Sequence, residues 1–191
     1  PIQRTELHLR RYLLAASFAR DAVALDAACG TGYGAHLLAD RGAARVTGVD
    51  IDPRTIDYAR REHAHERVTF EVGDATRLPI ADAAAGLVTS FETIEHLREP
   101  AALVAEFARV LATGGTLVLS TPNDLGTTDF HEVSLTQADL DRLLEPEFRV
   151  VERLGQVPGN DPIDGDLPPG IYRRSRFDLH PDTLLVIATR R

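Results

Sequence analysis

The run Phe91-Glu92-Thr93-Ile94-Glu95-His96 has residue types and a spacing that can do chemistry. Glu92, Glu95 and His96 stand at i, i+3 and i+4, so on a helix two carboxylates and an imidazole share one face. Such a face is half of a metal site, as the Glu-x-x-His pairs of helical bundles are. Oxygen and imidazole donors admit magnesium, manganese or iron, and zinc less selectively. Without a metal the same groups offer a general base. Either route can activate a hydroxyl, a poor nucleophile until its proton is removed or its pKa lowered. The plain alternative is two solvated acids and a hydrogen-bonded histidine.

A second constellation lies upstream. Val23, Ala24 and Leu25 read as a buried strand, followed by Asp26 and the turn Cys29-Gly30-Thr31-Gly32-Tyr33-Gly34. Helical residues come next, from Ala35 to Ala39. Strand, glycine turn and helix bring a nucleotide-like ligand against bare backbone at a helix N-terminus. The glycines at 30, 32 and 34 do not meet the dinucleotide pattern G-x-G-x-x-G, which counts against a Rossmann oxidoreductase. Asp50 ends the next apolar run, RVTGVD, eighteen residues beyond Gly32. A carboxylate there suits a ribose diol, since two acceptor oxygens match two hydroxyls, and Ile51 would lie against the adenine.

The elements that position these groups follow from periodicity. Residues 5–19 carry apolar positions near helical spacing, so a helix leads into the first strand. Strands are expected at 45–50, 67–72, 87–90 and 116–120. Pro53 opens a helix that reaches about His63. Another starts at Pro100, has Leu103, Val104, Phe107, Val110 and Leu111 on one face, and stops at Gly114-Gly115. Thr136 caps a helix over 136–145, with Asp139 in the capping-box position. Residues 148–154 and 183–189 are two late strands, and the Pro-, Gly- and Asp-rich stretch 155–170 is a loop. No repeat and no second domain is expected.

The acidic residue followed by x-G-x-G-x-G resembles motif I of the class I S-adenosylmethionine-dependent methyltransferases. Asp26, Gly30 and Gly32 match, and Ala28 stands where that family often has its first glycine. The resemblance covers most of the chain and is strongest over residues 22–122. It implies an α/β fold: a Rossmann-like, doubly wound, seven-stranded sheet, mostly parallel with the last strand antiparallel. It implies S-adenosylmethionine as cofactor, with Asp74 accepting from the exocyclic amine of adenine, Ala75 near the ring, and Phe91 completing the cofactor set. It implies one domain: a helix over the cleft in 1–20, a cofactor core in 22–122, and substrate-side loops with the last strands in 123–191. The E-x-x-E-H run is similar to that of the small-RNA 2′-O-methyltransferases and the O-methyltransferases of ubiquinone biosynthesis. In the former a downstream histidine completes a divalent-metal site, and His131 is the candidate here. Aromatic and basic residues around that site in the RNA enzymes are missing, which puts an RNA acceptor in doubt. If no metal binds, His131 or His96 becomes the candidate catalytic base.

Composition sets bounds. The chain has 191 residues, enough for one full core, and a formal charge of −8, which argues against broad nucleic-acid binding. The basic groups Arg4, Arg10, Arg11 and Arg173, Arg174, Arg176 read as solvated surface. The single cysteine, Cys29, permits no internal disulfide, and with no apolar run long enough to span a membrane the expected place is the cytoplasm. The chain opens at Pro1 without any methionine, so a longer natural chain is expected. The leading expectation is O-methylation of a hydroxyl on a small molecule, sugar or catechol-like. Against it stand metal-independent C-methylation of a quinone or lipid precursor, and a cofactor-binding module without activity.

Overall fold

The computed structural model describes residues 2–123, 131–176 and 179–191, with side chains from Glu6 onward. Helix α1 (Ile2–Ala15) leads through a 3-10 turn into β1 (Val23–Ala27). There follow α2 (Tyr33–Asp40), β2 (Arg45–Asp50), α3 (Pro53–Glu62), β3 (Val68–Val72) and β4 (Ala85–Phe91). The rest comprises α4 (Pro100–Val110), β5 (Leu111–Pro122), α5 (Gln137–Leu144), β6 (Phe148–Gln156), β7 (Ile171–Arg173) and β8 (Thr183–Arg190). One sheet runs in the order β3-β2-β1-β4-β5-β8-β6-β7. Strands β1 to β5 pair in parallel, while β8 inserts antiparallel between β5 and β6.

The doubly wound reading holds, with eight strands rather than seven. The extra one, β7, pairs antiparallel to the end of β6 through Leu154↔Arg173 and Gln156↔Ile171. Three residues give no periodic pattern to read. What holds them besides β6 is the loop just before: Asp164 accepts from the Arg173 amide at 2.9 Å, and Asp166 takes its guanidinium at 3.0 Å. Helix α4 also ends earlier than its glycines suggest. Leu111 is already strand, paired with Ala85, and the register shifts before Thr116 pairs with Leu87. Gly114, at φ +80, serves that irregularity in β5 rather than a helix cap.

Two apolar clusters fill the two faces. Leu103, Phe107, Leu140 and Phe148 pack on one; Tyr12, Leu38, Ile56 and Phe70 pack on the other. Pro53 opens α3 as expected, with Asp52 before it accepting from the Arg54 amide, and the expected cap at Thr136 forms as a reciprocal capping box with Asp139. Among the described residues no helix is long and apolar enough to cross a membrane.

Candidate functional site

Strand order reverses between β1 and β4, and the crevice at such a switch point is where open α/β sheets take ligands. A cavity of about 370 Å³ opens there, lined among others by Ala28, Asp50, Ile51, Asp74, Ala75, Glu92 and His96. Three loops, after β1, β2 and β3, and the segment after β4 thus converge on one space.

The glycine turn is shaped by backbone rather than side chains. Ala28 is left-handed at φ 59, a conformation that costs an L-residue about 1 kcal/mol and that a glycine would take freely. Gly30 is left-handed too, at φ +54, and a Cβ built on it meets nothing within 4 Å: the space beside it is open. Its amide donates to Asp50 Oδ2 at 2.9 Å, and the Asp52 amide to Asp50 Oδ1 at 3.0 Å, which fixes that carboxylate at the cavity wall. Asp74 folds into a local turn, its Oδ1 accepting from the Thr76 amide and hydroxyl. Gly32 serves packing, since a Cβ would lie 2.6 Å from Ala59 Cβ.

Not every expected cofactor residue reaches the cavity. Asp26 lies beneath the turn, 0% exposed, and accepts from Thr89 Oγ1 at 2.7 Å and from the Tyr12 hydroxyl at 3.1 Å. Burial pushes its carboxyl up to about 7, against the pull of those two hydrogen bonds. Phe91 is buried edge-on against Tyr12, ring centroids 4.8 Å apart, and is not part of the cavity wall. Cys29 is buried in the turn, where burial raises its thiol far above the ordinary range.

The Glu-x-x-Glu-His run is not a helical face. Strand β4 runs to Phe91, Glu92 turns the chain at φ 54, and only Ile94–His96 coil, as a 3-10 turn. The two glutamates therefore part. Glu92 turns to Arg11 Nη1 (2.9 Å) and Ser120 Oγ (2.8 Å). Glu95, 2% exposed, accepts from Thr121 Oγ1 at 3.1 Å, while its Oε1 has no hydrogen-bond partner. Its backbone carbonyl accepts from the amides of Glu132 and Val133, and this brings His131 alongside. The rings of His96 and His131 lie 5.1 Å apart. Donor atoms of Glu95, His96 and His131 fall within 4.8 Å of one another, and Glu92 is not of that group. Burial, then the nearby charge of Glu92, raises the Glu95 carboxyl to about 7.

Arg11 also departs from expectation. It is 3% exposed, not solvated, and gives hydrogen bonds to Gln156, Ser120 and Thr183 besides its ion pair with Glu92. The one signal in the sequence was its place on the helical face of Leu14 and Ala15, at i+3 and i+4. Arg173 likewise sits among Glu152, Asp164 and Asp166. The side chain of Arg4 lies outside the described residues.

A doubly wound sheet with a glycine turn after β1, and acids at the ends of β2 and β3, is the frame of the Rossmann-like methyltransferases. The Methyltransferase domain family matches residues 25–119. A probable S-adenosylmethionine-dependent methyltransferase of Mycolicibacterium smegmatis is 40% identical over 144 residues, 71% of this chain and 55% of that protein. A malonyl-[acyl-carrier protein] O-methyltransferase of Hahella chejuensis is 38% identical over 98 residues, 51% of this chain and 35% of that protein. The chain thus spans about half or less of the curated relatives it matches. In fold it is similar to an S-adenosylmethionine-dependent methyltransferase from Mesorhizobium loti, with TM-score 0.72 and 19% identity over 91% of this chain and 93% of that one. Residues 25–119 match the methyltransferase domain family, and over most of its length the chain is similar to S-adenosylmethionine-dependent methyltransferases.

Proposed function

We propose that this chain catalyses transfer of a methyl group from S-adenosylmethionine to a hydroxyl of a small-molecule acceptor, with a divalent ion held by Glu95, His96 and His131. The observation that carries the reading is that His96 belongs both to the cavity wall and to the Glu95–His131 cluster. Cofactor and activating groups would then be neighbours. The name of the Hahella chejuensis relative supports oxygen as the accepting atom.

The cavity fits the cofactor. Open space beside Gly30 admits a ligand against backbone, and Asp50 is fixed by two amides while its remaining lone pairs stay available to a diol. Ile51 and Ala75 offer apolar surface to an adenine, and Asp74 an acceptor to its amine. When bound, the cofactor supplies an electrophilic sulfonium methyl. The chain's part is alignment, since an in-line displacement gains chiefly from orientation. The cluster fits a metal: one carboxylate with an unpartnered buried oxygen and two imidazoles make a donor set for magnesium, manganese or iron. Such an ion would lower the pKa of an acceptor hydroxyl. Thr121 and the backbone bonds from residues 132 and 133 hold the ligands in place.

The test is turnover against a panel of hydroxylated acceptors with and without a chelator. Activity should vanish with the chelator and return with manganese or magnesium, while calorimetric affinity for S-adenosylmethionine is little changed. His131→Ala should weaken the metal and spare the cofactor. Turnover indifferent to chelators in a metal-free protein removes the ion. In that case a histidine oriented by Glu95, whose Oε1 lies 3.9 Å from His96 Nε2, is the base.

A further inference from the structure

A buried arginine needs a reason, because desolvating its charge is costly unless every donor is answered. Each nitrogen of Arg11 has a partner: Gln156 at the end of β6 for Nε, Ser120 near the end of β5 and Glu92 for Nη1, and Thr183 at the start of β8 for Nη2. All four lie at the sheet edge where the cavity opens, although Arg11 itself rides on α1. Its neighbour Tyr12 fastens the same helix to Asp26 beneath the glycine turn. Across that joint the tolerance is small: a Cβ on Gly34 would lie 2.0 Å from the Tyr12 ring.

Glu92 is equally deliberate. It holds a left-handed φ of 54, strained for a side chain of its size, immediately after β4. Both donors that reach it, Arg11 Nη1 and Ser120 Oγ, go to the same oxygen, Oε1. Glu92 also lines the cavity. Its second oxygen is therefore left for what the cavity holds, and the arginine keeps the carboxylate aimed.

We infer that Arg11 is a positioning residue that presents Glu92 to the cationic aminoacyl end of the cofactor, so that docking of α1 is a condition of cofactor binding. The inference rests on the cofactor reading proposed above. S-adenosylmethionine carries two cations, a sulfonium and an α-ammonium. A carboxylate set against the sulfonium would stabilise a charge that disappears during transfer and so would slow the reaction. The ammonium keeps its charge throughout and is the group that Glu92 holds at no cost in rate.

Three probes separate the possibilities by calorimetry: S-adenosylmethionine, S-adenosylhomocysteine, which has the ammonium but no sulfonium, and 5′-methylthioadenosine, which has neither. Glu92→Gln and Arg11→Met should each weaken the first two by about tenfold, the loss of one charge-assisted hydrogen bond, and leave the third unchanged. Arg11→Lys should recover part of the loss, since a single cation still reaches Glu92. If methylthioadenosine weakens in step with the others, the pair only supports the fold and the inference falls. If S-adenosylmethionine alone weakens, Glu92 faces the sulfonium, and if none weakens it faces neither; both outcomes overturn the assignment. A wild-type chain that binds none of the three removes the cofactor reading itself. Glu92→Gln stands as the deciding variant should Arg11→Met not fold.

Discussion

Replacing Asp26 by asparagine should make the fold more stable at neutral and alkaline pH, against the usual result of truncating a buried hydrogen-bonded group. Asp26 is fully buried, and burial raises its carboxyl from 3.8 to about 7. Between those two values the folded chain holds a proton that the unfolded chain has lost, so the stability contributed by Asp26 falls as pH rises and is lowest above about 7. A shift of about three units corresponds to ~4 kcal/mol at pH 8 as a ceiling. Asparagine removes that penalty but accepts through one oxygen only, and re-turning the Tyr12 and Thr89 hydroxyls takes back about 1 kcal/mol. The expected net is ~2–3 kcal/mol in favour of Asp26→Asn at pH 8 and about 0.5 kcal/mol against it at pH 4, with a crossing at about pH 4.5. Urea denaturation of both proteins at pH 4, 6 and 8 measures this directly. A stability difference that stays constant across the three pH values would refute the argument, because it would mean that Asp26 titrates alike in both states.

Asp50→Ala should weaken S-adenosylmethionine by about 1.5–3 kcal/mol by calorimetry, since a ribose diol would lose a charged acceptor; unchanged affinity would take Asp50 out of the site. Gly30→Val has room for its Cβ but must hold φ +54, and its side chain would fill the space beside the turn. The expectation is about 1–2 kcal/mol of lost stability and no measurable cofactor binding, checked by thermal unfolding alongside calorimetry. Because burial raises Glu95 to about 7, its carboxylate form, the one that ligates or orients a histidine, is scarce below that pH. Activity should climb as pH rises through about 7 and lose that limb in Glu95→Gln, which a pH–rate profile of both proteins reads.

What the sequence determined by itself is whatever depends on neighbours along the chain. The strand–glycine-turn–helix order around Gly30, the Asp50 that ends β2, the Asp74 that follows β3, and the Thr136–Asp139 capping box are all local arrangements. Periodicity and spacing express them because hydrogen-bond geometry repeats every two or 3.6 residues. Tertiary structure decided the rest. The spacing of Glu92, Glu95 and His96 spells a helical face, yet one left-handed residue sends Glu92 to Arg11, 81 positions earlier, and buries Glu95 under Thr121. His131 joins His96 through amides bonded to the Glu95 carbonyl, a link between segments 36 residues apart. Asp26 looked like a cofactor contact, but the packing of Tyr12 and Thr89 around it made it a buried acid below the turn. Arg11 carries no local mark of its burial beyond sharing a face with Leu14 and Ala15. A charge is buried only when partners converge on it, and here they come from β5, β6, β8 and the residue just after β4, whose meeting is settled by the fold.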